Sequence, residues 1–229
     1  MAIASAVAIA CGLRLMATDH EQAGEYARLA ATSPAAASGE GAWEELDRTN
    51  PDVVAWLRVE GTSVDVPVCQ ASADDPDYYL YHDLWGDAVE VGNPYLDARC
   101  GPDAPEMTVY GHHTTVESYM FHDLSGCFAQ EAFDGLGDAT WAVPDGPAVT
   151  LHPLCSTRLD RDDPTWQVFG NLTDAERASW LVSGCEAAGA RSADWRRLCS
   201  SASRVLVLVT CSGWQRFGWA ARTVTVFVA

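Results

Sequence analysis

The chain is 229 residues long, 48% apolar, with a formal net charge of −18 and a pI near 4.4. That length suits one β-rich domain behind an N-terminal extension, with enough apolar material for a real core. The acidity argues against nucleic acid or an anionic membrane surface as ligand, because Coulomb repulsion opposes both.

All fourteen basic residues are arginine. The chain therefore has no side-chain amine to accept an acyl group or form a Schiff base, and any such amine must come from a substrate or partner. Eight cysteines (11, 69, 100, 127, 155, 185, 199 and 211) show no CxxC pair and no zinc-ligand spacing. Neither a metal nor a cofactor is expected.

Met1 to Leu13 form an apolar run interrupted by Arg14. It is short of the ~20 residues needed to span a bilayer and lacks the positively charged lead of a signal peptide. Residues 1–17 read as the tail of a membrane anchor whose start lies outside this reading frame, with a buried or frayed helix as the competing reading. His20 to Ala31 is helix-compatible, and Ser33 to Gly41 is a small-residue linker. Residues 18–41 are thus expected to be a stalk helix and linker, and residues 42–229 the catalytic domain.

Trp43 to Leu46 begin a short helix ended by Thr49-Asn-Pro51, and Val53, Val54, Trp56 and Leu57 continue an apolar face. Val64, Val66 and Val68 alternate with Asp65 and Pro67, which predicts a half-buried strand with an edge or bulge at the proline. Gly92 to Asp97 reads as a turn into a short strand, and Met107 to Tyr110 as a strand leading to Gly111-His112-His113. Met120 to Leu124 and Phe128 to Leu136 read as short helical pieces, and Ala148 to Leu151 as a strand. Asn171 to Ala190 carries the one clear helix, with Thr173 as N-cap and Glu176 completing a capping box. Several short strands with helical insertions predict a mainly β fold, a barrel rather than alternating βαβ units.

The end of the chain carries the chemistry. Val205-Leu-Val-Leu-Val-Thr-Cys211 is a solid apolar run that stops at a thiol, and Arg222-Thr-Val-Thr-Val-Phe-Val opens a second β-branched strand. A free thiol with a pKa of about 8.5 is only slightly ionised at neutral pH and needs a base or cation beside it to attack a carbonyl. His112 can supply the base, and the Arg222 guanidinium can direct hydrogen bonds at a developing oxyanion. Each residue alone has a structural alternative: a core thiol, a structural ring, a rim ion pair. Three such residues at strand ends make a catalytic constellation.

These blocks resemble a known family, the class B sortases, cysteine transpeptidases of Gram-positive bacteria. The likeness runs from Asn50-Pro-Asp-Val-Val-Ala-Trp-Leu through Asp77-Tyr-Tyr-Leu-Tyr-His-Asp83, Gly92 to Asp97, Val109-Tyr-Gly-His-His113 and Met120-Phe121 to Leu208-Val-Thr-Cys211 and the arginine strand, in family order. The resemblance implies an eight-stranded sortase β-barrel with N-terminal helices and an inserted helix before the last strands. It implies Cys211 as nucleophile, His112 as acid and base, and Arg222 as the arginine, with His113 supporting or neutral. Cys211 and Arg222 stand eleven residues apart, one more than the class leads us to expect, so the loop must bulge; Arg216 is the competing arginine.

The implied reaction cleaves a C-terminal sorting signal of a surface protein or pilin through a Cys211 thioester and passes the acyl group to an amine of peptidoglycan or a pilin. The implied location is the extracellular face of the cell membrane, held by the N-terminal anchor. A cysteine hydrolase releasing the free acid uses the same residues, and an idle wall-binding module would lack one of them. A metal shared by His112, His113 and His122 is disfavoured, because adjacent strand residues point to opposite sides. Thr210, Ser212, Trp214 and Trp219 are candidate substrate-binding residues. Trp214, Phe217 and Trp219 either wall a groove or pin a long loop, and Asp160 to Pro164 reads as a solvated acidic loop.

Overall fold

The computed structural model describes residues 2–34, 41–114, 117–169, 172–211 and 221–229, with side chains from residue 17 onward. In chain order the elements are α1 (Ala2–Ala31), α2 (Ala42–Thr49), β1 (Val53–Val59), β2 (Asp65–Gln70), β3 (Tyr95–Leu96), β4 (Glu106–Tyr110), α3 (Gln130–Phe133), β5 (Ala139–Ala142) and β6 (Val149–Asp160). Then come α4 (Asp174–Ala187), β7 (Ala190–Arg191), α5 (Trp195–Ser201), β8 (Val205–Cys211) and β9 (Ala221–Val228). The sheet runs β5-β1-β2-β3-β4-β8-β9-β6, and β6 pairs back onto β5, so eight strands close a barrel while β7 adds a short edge to β6. The β2–β3 and β4–β8 pairings are parallel, and the others antiparallel.

β8 is apolar at every position up to Val209 because both its faces are covered. Leu206 and Leu208 turn into the barrel core with Met107, Val109 and Phe227. Val205, Val207 and Val209 turn outward into a second core with Val224, Val226 and Val228 of β9, Leu181 of α4, and Trp195 and Leu198 of α5. Each such buried aliphatic contributes roughly 1.5–3 kcal/mol through area removed from water.

α4 starts as its sequence predicts. The Thr173 hydroxyl accepts from the Glu176 N–H, and Glu176 Oε2 accepts from the Thr173 N–H at 2.9 Å. Arg177, one residue on, is buried and donates from Nε to Glu106 Oε1 of β4 at 2.7 Å and from Nη1 to Asp174 Oδ1 at 2.9 Å. This buried pair fixes α4 on the barrel wall.

Several local readings change in the fold. Val53 to Leu57 belong to strand β1, not to a continued helical face. β6 is twelve residues long, of which only the first few read as strand, because a bulge between Pro153 and Cys155 breaks the period of two. α5 has seven residues, too few for helical periodicity to declare itself. Pro67 sits inside β2 opposite Trp56. Its carbonyl accepts from Asn93 Nδ2 at 3.2 Å, away from β1, so the missing N–H takes no ladder bond from that pairing.

The N-terminal expectation is corrected. Among the described residues no helix is long and apolar enough to cross a membrane. The apolar run is the first part of α1, and the same helix goes on to carry Arg14, Asp19, Glu21, Glu25 and Arg28, so its apolar length falls well short of the ~30 Å of a hydrocarbon core. Its later turns lie against the barrel. Tyr26 is buried and donates to Asn93 Oδ1 at 2.7 Å, its ring meets Trp85 edge-on at 5.6 Å, and Asp19 accepts from the Tyr119 hydroxyl at 2.6 Å.

Candidate active site

Cys211 is the last residue of β8 and is exposed. The β8–β9 register sets Arg222 directly opposite it. Residues facing each other across an antiparallel pair share a face of the sheet with Cβ atoms about 5 Å apart. Period-two alternation gives that face as the outer one, shared with Val209 and Val224. The Thr210 side chain therefore turns the other way. It is buried, its Oγ1 has no hydrogen-bond partner, and its neighbour across the strands is Thr223.

His112 arrives from the parallel neighbour. β4 and β8 pair from Glu106–Val205 to Tyr110–Val209, and the Gly111 N–H continues the ladder to the Val209 carbonyl at 3.0 Å. The ladder ends there, and His112, the next residue, lines the same cavity as Cys211. Gly111 is glycine for a steric reason: a Cβ there would lie 2.7 Å from the ring of Phe121, which is fully buried. Phe121 also donates its N–H to the His112 carbonyl at 3.1 Å, closing the loop beneath the ring. Burial holds the His112 imidazole below its ordinary pKa, favouring the neutral ring. His113 faces His122, with ring centroids 5.5 Å apart, and His122 Nδ1 lies 2.6 Å from the Thr114 carbonyl.

His112, Cys211 and Arg222 border one cavity of about 530 Å3. Its floor holds residues that the sequence did not single out as site residues. Asp97 accepts from Arg99 Nε at 2.8 Å and Nη2 at 2.7 Å, and from the Tyr110 hydroxyl at 3.0 Å. Burial alone would raise the Asp97 carboxyl, but the Arg99 side-chain and backbone bonds and the Tyr110 hydroxyl outweigh it and hold the group below its usual range. The Tyr110 ring meets Tyr95 at 5.3 Å and lies 5.9 Å from the Arg222 guanidinium, within cation–π reach. The floor thus links Arg99, Asp97, Tyr110 and Arg222. The signal in the sequence was available: Tyr110 is two residues before His112, hence on its face, and Asp97 is two residues before an arginine.

Thr210 borders the cavity through its position beside Cys211. Ser212, Trp214 and Trp219, with Arg216 and Phe217, lie outside the described residues.

No family model matches the chain. Sortase B of Listeria monocytogenes is 32% identical over 82 residues, a stretch covering 35% of this chain and 32% of that protein. The matched segment is thus about a third of the curated relative's length. Among solved structures, a mutant form of Clostridium perfringens sortase B superposes with a TM-score of 0.76 at 23% identity, over 89% of this chain and 96% of that one. The Staphylococcus aureus sortase B–substrate complex superposes with a TM-score of 0.75 at 19% identity, over 92% of this chain and 96% of that one. This chain has the fold of a class B sortase. What the superpositions share is that overall fold, a closed eight-stranded mixed barrel with helices.

Proposed function

We propose that the chain is a class B sortase-type cysteine transpeptidase acting on a C-terminal sorting signal. The observation that carries this reading is the convergence of three strand ends on one cavity: Arg222 directly across from Cys211, and His112 just past the end of the parallel β4–β8 ladder. In the proposed reaction the neutral His112 ring takes the Cys211 thiol proton, and the resulting thiolate attacks the carbonyl carbon of the scissile peptide bond. The oxyanion that forms is stabilised by the Arg222 guanidinium, which the Tyr110 ring and the Asp97–Arg99 pair help to orient. The carbon–nitrogen bond breaks as His112 gives a proton to the leaving amine, and a thioester remains on Cys211. An incoming amine loses a proton to His112 as it attacks the thioester carbon, the carbon–sulfur bond breaks, and His112 returns that proton to the departing Cys211 thiolate. With no lysine in the chain, that amine belongs to another molecule, a peptidoglycan or pilin amine. The C-terminal sorting signal of a surface protein is the donor, with Asn-Pro-x-Thr as the motif to test first.

Mass spectrometry of the chain with Asn-Pro-x-Thr and Leu-Pro-x-Thr-Gly peptides, with and without hydroxylamine or an oligoglycine amine, tests this directly. The expected result is an acyl adduct on Cys211 that converts to an amine-capped product and is absent from Cys211→Ala. Release of the free acid alone, unchanged by added amine, would make the protein a hydrolase. Turnover that persists in Cys211→Ala would remove the nucleophile from the proposal.

A further inference from the structure

Three of the cysteines outside the cavity meet under the helical layer. Cys185 on α4, Cys199 on α5 and Cys155 on β6 are all fully buried in the second core. Cys185 Sγ and Cys199 Sγ lie 3.8 Å apart, in van der Waals contact. Cys155 is the other sulfur neighbour of Cys185 and stands opposite Arg191 in the β6–β7 pairing, while Arg191 Nη1 donates to the Cys185 carbonyl at 2.8 Å. The pair sits in the second core where α4 and α5 pack together, with Leu181 of α4 and Trp195 and Leu198 of α5.

We propose that Cys185 and Cys199 form an oxidisable pair that closes to a disulfide stapling α5 to α4. A disulfide brings its sulfurs to about 2.05 Å, so closure moves them together by about 2 Å, within the reach of side-chain rotation and a small shift of a short helix. The step is a thiol–disulfide exchange with an external disulfide, a small-molecule or carrier-protein one. One cysteine, as thiolate, attacks a sulfur of the external disulfide and expels one of its thiolates. The second cysteine loses its proton and attacks the mixed disulfide, the new sulfur–sulfur bond forms, and the second external thiolate leaves. Two protein thiols are oxidised by two electrons, and the external disulfide is reduced to two thiols. Because both sulfurs are buried in the folded chain, exchange takes place while α5 is still undocked, during folding.

Cys211 stays out of this chemistry by position. α5 precedes the start of β8, and Cys211 is at the other end of that strand, six residues and roughly 20 Å away. Cys155 remains a thiol beneath the pair.

The test is to refold the full chain in a reduced and oxidised glutathione buffer, alkylate remaining thiols under denaturing conditions, and cleave at arginine. Residues 178–191 and 198–204 then carry Cys185 and Cys199 on separate peptides with no other cysteine. The expected result is these two peptides joined, lighter by two hydrogens than their sum, with Cys211 alkylated. By the usual effect of a bridge closing a loop of this length, the oxidised chain should melt roughly 5–10 °C above the reduced one. Cys199→Ser should melt with the reduced chain and gain nothing from the oxidising buffer. Both peptides recovered fully alkylated, a link from Cys185 to the peptide holding Cys155, or an oxidative shift that persists in Cys199→Ser would each overturn the proposal.

Discussion

At the scale of single residues, Gly111 and His112 decide whether the site forms. Gly111→Ala puts a methyl group against the fixed Phe121 ring, and the ring, fully buried, has nowhere to go. The expected cost is about 1–3 kcal/mol from overpacking, together with a loss of turnover as His112 is displaced; thermal melting and peptide cleavage by the same preparation check both. His112 also sets a pH dependence. Its folded pKa lies below the ordinary value of about 6.5, so between the two values the unfolded chain holds more protons than the folded one. The stability contributed by the neutral ring is therefore complete above about pH 6.5 and is lost as pH falls toward the folded value. An NMR titration of the His112 ring in Cys211→Ala should give a midpoint under 6.5. A midpoint at or above 6.5 would show that burial is not what governs this ring.

At the scale of elements, the helical layer is held by a buried charge pair as well as by apolar contact. Arg177 reaches from α4 to Glu106 on β4, and both side chains are almost completely buried. Glu106 Oε2 has no partner of its own, so the carboxylate depends on Arg177. Arg177→Met should destabilise the fold by about 3–5 kcal/mol in urea denaturation, because a buried carboxylate is left uncompensated. Arg177→Met combined with Glu106→Met should recover most of that loss, and failure to recover would locate the cost in packing instead of charge. The same elements show why local reading has limits. α4 was legible because a capping box and a long helical segment lie together in sequence. α5 and β5 were not, being seven and four residues long, and β6 was hidden by the bulge that turns its second half toward α4 and α5.

At the scale of the whole molecule, α1 is part of the packed structure through Tyr26. Its ring is buried among the barrel loops, and its hydroxyl joins Asn93 and the Leu84 N–H. Tyr26→Ala should cost about 3–4 kcal/mol by chemical denaturation, an effect a mere tether could not have; a change under ~0.5 kcal/mol would mean that α1 does not stabilise the barrel. The barrel itself depends on contacts the sequence cannot display: β4 and β8 are neighbours although about a hundred residues separate them, and β6 closes the ring on β5. By itself the sequence determined the residue types of the chemistry, the strands that end in Cys211 and begin near Arg222, the glycine before His112, the capped helix and the acidic, lysine-free character. These are local, written in composition, periodicity and spacing. The tertiary structure alone decided that Arg222 faces Cys211, that the Thr210 side chain turns into the barrel, that Asp97, Arg99 and Tyr110 floor the cavity, and that Cys185 meets Cys199. Those facts rest on strand register and on packing between distant segments, and a one-residue slip in register would reverse each face without altering any local pattern.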